Sequence, residues 1–212
     1  MKRLAGWTAR LMALAILGTV PAAGQEAVPG GELPPPGYGS LKQDNISLRI
    51  STSEIEVRFM PLDERLIRLL APDAYASLHG LVVSRKAAID EAARQDNLTQ
   101  PGLVLVSFFA LRPAARFDPD LVNISYRSQF ERPAAIVPYT GNFSSRQLDV
   151  RQQASAIYLF DEPLPVFEPF EVVYGGSKAA WDDAVLRRIG VERSRVQARA
   201  SADKPDSVTA KP

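Results

Sequence analysis

The 212-residue chain is close to electroneutral, with 25 Lys and Arg against 24 Asp and Glu, and 46% of its residues are hydrophobic. That balance excludes a chain-wide positive field for nucleic acid, and the hydrophobic content suits a folded core. There is no cysteine and one histidine, which excludes a disulfide-stapled scaffold, thiol chemistry and the multi-ligand sites that zinc needs.

Taken in chain order, the first feature is a positive start at Lys2, Arg3 and Arg10, with no acid before Glu26. Leu11 to Val20 is then apolar without a charge. A membrane-spanning helix needs about 20 such residues, so this shorter run fits the core of a signal peptide. Pro21 breaks the run, and Ala22 and Gly24 are small residues two apart. The pattern predicts a cleavable signal peptide over residues 1–24, with Gly24 and Gln25 at the junction, and therefore a periplasmic or extracellular protein. Its removal leaves 22 cations against 24 acids, a net charge of about −2, and no transmembrane segment in the mature chain.

Residues 25–43 are dense in Pro and Gly and read as a linker, stiffened over Pro34 to Pro36. Residues 44–197 form the predicted globular domain, and residues 198–212, without an apolar period, the predicted disordered tail. Ile46, Leu48 and Ile50 alternate with polar residues, as do Ile55, Val57 and Phe59 beyond a Ser-Thr-Ser turn. Period two predicts an antiparallel pair with one buried face. Asp63 opens a helical stretch carrying Leu66, Ile67, Leu69 and Leu70, and Pro72 suits the first turn of a second helix reaching about Arg94.

Gly102 to Leu111 is apolar on both faces, as a covered central strand requires. Strands are predicted over 121–126, 134–139, 153–160 and 168–174, with an edge piece over 148–151 and prolines at the ends. Ser177 is placed as the cap of a last helix bearing Trp181, Val185 and Ile189, with Gly190 as its stop.

Between Arg116 and Gly175 the segments RFDPDLVNISY, RPAAIVPYT, QLDVRQQASAIYLFD and PFEVVYG carry a resemblance. Their order resembles that of bacterial secreted immunoglobulin-like domains, in which a Pro-x-Asp strand, an apolar strand ending near Phe-Asp and a final Val-Tyr strand follow one another. The resemblance implies a non-enzymatic β-sandwich and supplies no functional residue. The Cys-Trp-Cys core of that family is absent, since the chain has no cysteine and neither Trp falls in a predicted strand. The expected class is mostly β (α+β): an antiparallel immunoglobulin-like sandwich with helices inserted after the second strand and a C-terminal helix.

Catalytic toolkits are incomplete. His79 lies mid-helix with no GxSxG elbow to serve. Asp118, Asp120 and Asn123 offer oxygens for calcium but lack the loop glycine and distal bidentate acid, so a strand-entry turn explains them. Gly175-Gly176-Ser177-Lys178 lacks phosphate-loop spacing and reads as a strand-to-helix turn with a Ser cap. Glu131, Asp161, Glu162, Glu168 and Glu171 are the acids available to a glycoside-cleaving pair, which requires a separation that sequence does not specify. Asn45, Asn97, Asn123 and Asn142 each begin an Asn-x-Ser/Thr tripeptide, to which no role is attached. Tyr139, Asn142 and Phe143 flank or form a loop at a predicted sandwich end, where an exposed aromatic would contact a partner. These features imply an exported binding or accessory protein of the cell envelope with a protein partner and no cofactor. The alternative they leave is a carboxylate hydrolase acting on carbohydrate or cell wall.

Overall fold

The computed structural model describes residues 33–203. The predicted signal peptide with its Gly24–Gln25 junction, the first half of the predicted linker and the end of the predicted tail lie outside them. β1 (Leu48–Ser51) and β2 (Ile55–Pro61) pair antiparallel, with Leu48 opposite Phe59 and Ile50 opposite Val57. Thr52 makes their turn, its hydroxyl oxygen accepting from Glu54 N–H at 3.2 Å and Ile55 N–H at 3.1 Å.

α1 (Glu64–Ile67) starts where the Asp63 carboxylate accepts the Arg65 N–H at 2.8 Å. α2 (Pro72–Gln95) starts on Pro72, whose missing N–H would have had no helical partner there. Strand β3 (Gly102–Ala110) follows. Then come β4 (Ala115–Arg116), β5 (Val122–Tyr126), β6 (Gln129–Glu131), β7 (Ala135–Pro138) and β8 (Gln147–Leu148). β9 (Gln153–Phe160), β10 (Phe170–Tyr174), β11 (Ser177–Trp181) and the helix α3 (Asp183–Ala202) complete the order.

Two antiparallel sheets result, one in the order β1-β2-β3-β9-β7 and one in the order β11-β10-β5-β6, with β4 and β8 forming a short separate ribbon. The molecule is thus β-rich α+β, with α1 and α2 inserted between β2 and β3 as the hydrophobic pattern predicts. Alternation puts Phe59 and Phe108 of the first sheet, and Phe170 and Tyr174 of the second, on facing sides. Their rings meet there: Phe59 is 6.4 Å from Phe170 and Phe108 is 5.9 Å from Tyr174. Such tilted aromatic pairs contribute about 0.5–1.5 kcal/mol beyond their buried area. α2 touches β7 on the other side of the first sheet. No helix among the described residues is long and apolar enough to cross a membrane.

Four expectations need correction. Ser177 to Trp181 is a strand, not the start of the last helix: β11 pairs with β10, Trp181 opposite Phe170, and Trp181 is fully buried. Asp182 is the cap instead, its carboxylate accepting from Ala184 N–H and Val185 N–H at 3.0 and 3.1 Å. The Lys-Ala-Ala sequence favours helix locally, and pairing overrides it. Gly190 does not stop α3, which continues to Ala202 and so takes up residues 198–202 of the predicted tail.

The third correction concerns residues 33–43, read as linker. Leu41 is buried and bridges Leu70 in parallel, with Leu41 N–H on Leu69 O at 3.1 Å and Ala71 N–H on Leu41 O at 2.9 Å. A Cβ on Gly39 would lie 2.3 Å from the Leu69 carbonyl, so only glycine lets the backbone approach that closely. Composition signalled a spacer, but hydrogen bonds to the α1–α2 connection and to α3 seat this segment. Lastly, Gly175-Gly176 is the two-residue turn of the β10–β11 hairpin, with Gly175 at φ 57°, rather than a strand-to-helix turn.

Candidate functional site

β7 ends at Pro138, and the chain turns over the end of β9. Tyr139 N–H and Thr140 N–H both donate to Ser155 O, at 2.8 and 3.1 Å, and Thr140 Oγ1 accepts Ser155 N–H at 2.9 Å. This stitching holds the Tyr139 ring outward, 42% exposed. Arg85 of α2 braces it, its guanidinium 5.2 Å from the ring centre and one Nη donating to Tyr139 O at 3.3 Å. Asn142 is also exposed, on the 3-10 turn Gly141–Ser145.

Phe143 is not available to a partner. It is buried, its ring 6.2 Å from Phe108 and 5.7 Å from Phe117. One turn of 3-10 helix sends neighbouring side chains to different sides, so Asn142 faces water while Phe143 plugs the core. The loop therefore offers Tyr139 and Asn142, joined by Arg85, a contributor that sequence separation concealed.

Beside this loop lies a concavity of about 540 Å³ lined by Arg116, Asp118, Ser145, Arg146, Gln147 and Tyr174 among others. Arg146 takes a left-handed φ of 52° and places its guanidinium 3.5 Å from Asp120 and 4.0 Å from Asp118. Asp118 Oδ1 accepts the Asp120 N–H at 3.1 Å, and Asp118 N–H donates to Tyr174 Oη at 3.1 Å. Burial pushes the Tyr174 hydroxyl up from its ordinary value, so it stays a neutral hydrogen-bonding group. The acids weighed for calcium are thus engaged in a turn and an ion pair. Asn123 donates to Leu121 O at 3.1 Å, and no metal-holding cluster of acids and histidine exists among the described residues.

The third region is the open edge of the second sheet. β6 pairs with β5 on one side only, and Phe130 at its centre is 71% exposed. The β5–β6 turn uses Arg127 and Ser128, both at positive φ (49° and 66°), without the Asn or Gly that marks such turns in sequence. The strand β6 therefore has no turn signal in the sequence before it. A second concavity of about 400 Å³ lies next to the edge, over Ser125, Arg127 and Glu171.

The candidate catalytic acids divide in two. Glu168 is held by Tyr126 and by Arg127, the latter at 2.8 Å, and its carboxyl lies below the usual range because of those bonds. Glu171 pairs with Lys178 at 2.7 Å. Glu131, by contrast, is pushed up, by burial first and then by the charges of Glu162 and Asp161. His79 Nδ1 is 2.7 Å from Glu64 Oε1, and its ring stacks on Tyr75 at 5.3 Å. Comparison with known proteins returns no matching family model, no matching curated protein and no matching solved structure.

Proposed function

We propose that the chain is an exported, non-enzymatic binding or accessory protein of the cell envelope. It contacts a protein partner through the open β6 edge and the Tyr139 loop. The observation that carries this reading is Phe130, 71% exposed in a strand paired on one side only. Unpaired strand edges template the addition of another chain, and folds ordinarily blunt them with charge, proline or cover. This edge is short, with Glu131 on it and Pro133 just beyond, yet its centre presents an aromatic ring, the residue class enriched where partners meet. Export is supported by the charged, then apolar, then small-residue pattern of residues 1–24. An immunoglobulin-like arrangement is supported by the segment order between Arg116 and Gly175 and by the aromatic pairs between the sheets.

Cross-linking and pull-down of the tagged protein from its own envelope tests the reading, with N-terminal sequencing of the recovered chain to check for Gln25. Phe130→Ala and Tyr139→Ala should each weaken partner capture about tenfold at an unchanged melting temperature. Phe143→Ala should instead cost about 3 kcal/mol of stability, since it empties a core position. Capture insensitive to both surface substitutions would refute the assignment of these two surfaces.

A carboxylate hydrolase is the second reading, and Glu131 favours it. A carboxyl pushed up beside two other acids is the state a general acid needs. Release of soluble glycan from cell wall by the wild type, abolished by Glu131→Gln, would move the assignment to this reading.

A further inference from the structure

α3 turns Ile189, Glu192 and Val196 inward. Arg187, Arg188, Val191 and Arg195 are all exposed on the outer side, Val191 by 52%. At 3.6 residues per turn these four fall within an arc of about 100°. The opposite flank carries the uncharged Gly190, Ser194, Gln197 and Ser201.

The chain before β1 extends this basic face. It runs antiparallel alongside α3: Tyr38 O meets Arg199, Ser40 meets Glu192, and Asn45 O receives Arg188 Nη1 at 3.3 Å. Lys42 lies between these contacts and is exposed beside the same arc. Among the described residues none of Lys42, Arg187, Arg188 and Arg195 has an ion-pair partner. Three neighbouring acids are already engaged, while Asp183, one turn before Arg187, is exposed and among the described residues forms no ion pair. Asp44 pairs with Arg49 and Arg58, Glu192 with Ser40 and Arg199, and Asp203 accepts from Tyr38. A chain that is electroneutral as a whole therefore concentrates three arginines without ion-pair partners along about 12 Å of α3, with Lys42 of the preceding segment as a fourth cation beside them.

We propose that this face of α3, with Lys42, docks on an anionic phospholipid surface. The cations are spread in a row rather than converging on one point, so they match a sheet of phosphates better than a single phosphate. Val191 sits among them, and an exposed aliphatic side chain between arginine stems gains from the headgroup boundary. No aromatic lies in the arc to stack on bases, which disfavours single-stranded nucleic acid. The proposal is independent of the partner assigned to β6 and Tyr139, because it uses other residues.

Vesicle sedimentation with the full chain tests it, comparing phosphatidylcholine vesicles with and without phosphatidylglycerol. Residues 1–24 contribute equally to wild type and variant, so the readout is the ratio between them. Each cation near an anionic surface raises partitioning about fivefold, so Arg187→Gln, Arg188→Gln and Arg195→Gln together should lower it roughly a hundredfold. The pair Lys42→Gln and Arg195→Gln, which spares the Arg188 bond to Asn45, should lower it about twentyfold with unchanged circular dichroism. The difference should vanish at about 1 M salt, where the screening length is near 3 Å. Equal pelleting of wild type and both variants, or equal pelleting on neutral vesicles, would overturn the proposal. Binding to polyphosphate without pelleting on any vesicle would overturn the lipid source and assign the face to a soluble polyanion.

Discussion

Glu64 shows how one side chain ties several elements together. Arg68 Nε donates to its Oε2 at 2.7 Å, His79 Nδ1 lies 2.7 Å from its Oε1, and the Tyr75 hydroxyl reaches Oε2 at 3.4 Å. Burial pushes this carboxyl up, but the bonds and charges of Arg68 and His79 outweigh it, and the group titrates below the ordinary glutamate range. A depressed acid stabilises the fold fully above the unfolded value of about 4.3, and the contribution is lost as pH falls through the lower folded value. Thermal melts of the wild type should thus fall more steeply below about pH 4.5 than those of Glu64→Gln, with the variant less stable at neutral pH. Parallel curves would show that the cluster adds nothing. None of this was legible in sequence, where Glu64 and His79 stand fifteen positions apart on different helices. Phe143 teaches the same lesson: loop composition suggested exposure, and only the turn geometry decided that Asn142 faces out and Phe143 in.

At the scale of elements, the two long helices each carry an interior glycine that the fold does not require. A Cβ on Gly80 or Gly190 would meet no atom within 4 Å, and both positions face solvent. Replacing such a glycine by alanine removes a helix penalty of about 1 kcal/mol. Gly80→Ala and Gly190→Ala should therefore each raise stability by about 0.5–1 kcal/mol in urea unfolding. A loss at either site would reveal a bend or a contact that depends on glycine. Most elements with a strong period were legible: β1 and β2 from their alternation, α2 from Pro72 and the recurrence of Leu78, Leu81 and Ile89, β9 from its apolar run. Those that were missed have weak local signals. β6 has three residues and a turn without Gly or Asn, and β11 is built from good helix formers.

For the molecule as a whole, the segment from Tyr38 to Leu41 acts as a strap joining α3 to the α1–α2 corner. Glu192 is its inner fastening, 2% exposed, accepting from Ser40 N–H at 2.9 Å, Ser40 Oγ at 2.8 Å and Arg199 at 3.1 Å. Removing one member of such a buried set leaves donors without an acceptor. Glu192→Ala should cost about 2–3 kcal/mol and should speed hydrogen exchange at Leu41 and Ala71, whose amides bond across the strap. Exchange slowed only by global unfolding in both proteins would show that the strap has no local stability of its own.

Sequence by itself determined the β-rich class, the helical insertion after β2, the turn chemistry around Thr52 and Asp63, and the incompleteness of thiol, zinc and triad chemistry. These follow from composition and from periods of two and 3.6, which act over a few residues. Tertiary structure alone decided that part of a proline-rich segment is seated, that Trp181 ends a strand, that Phe143 is core and that Lys42 joins three arginines of α3. Each of these depends on residues far apart in the chain, whose pairing outweighs propensities worth less than about 1 kcal/mol per residue.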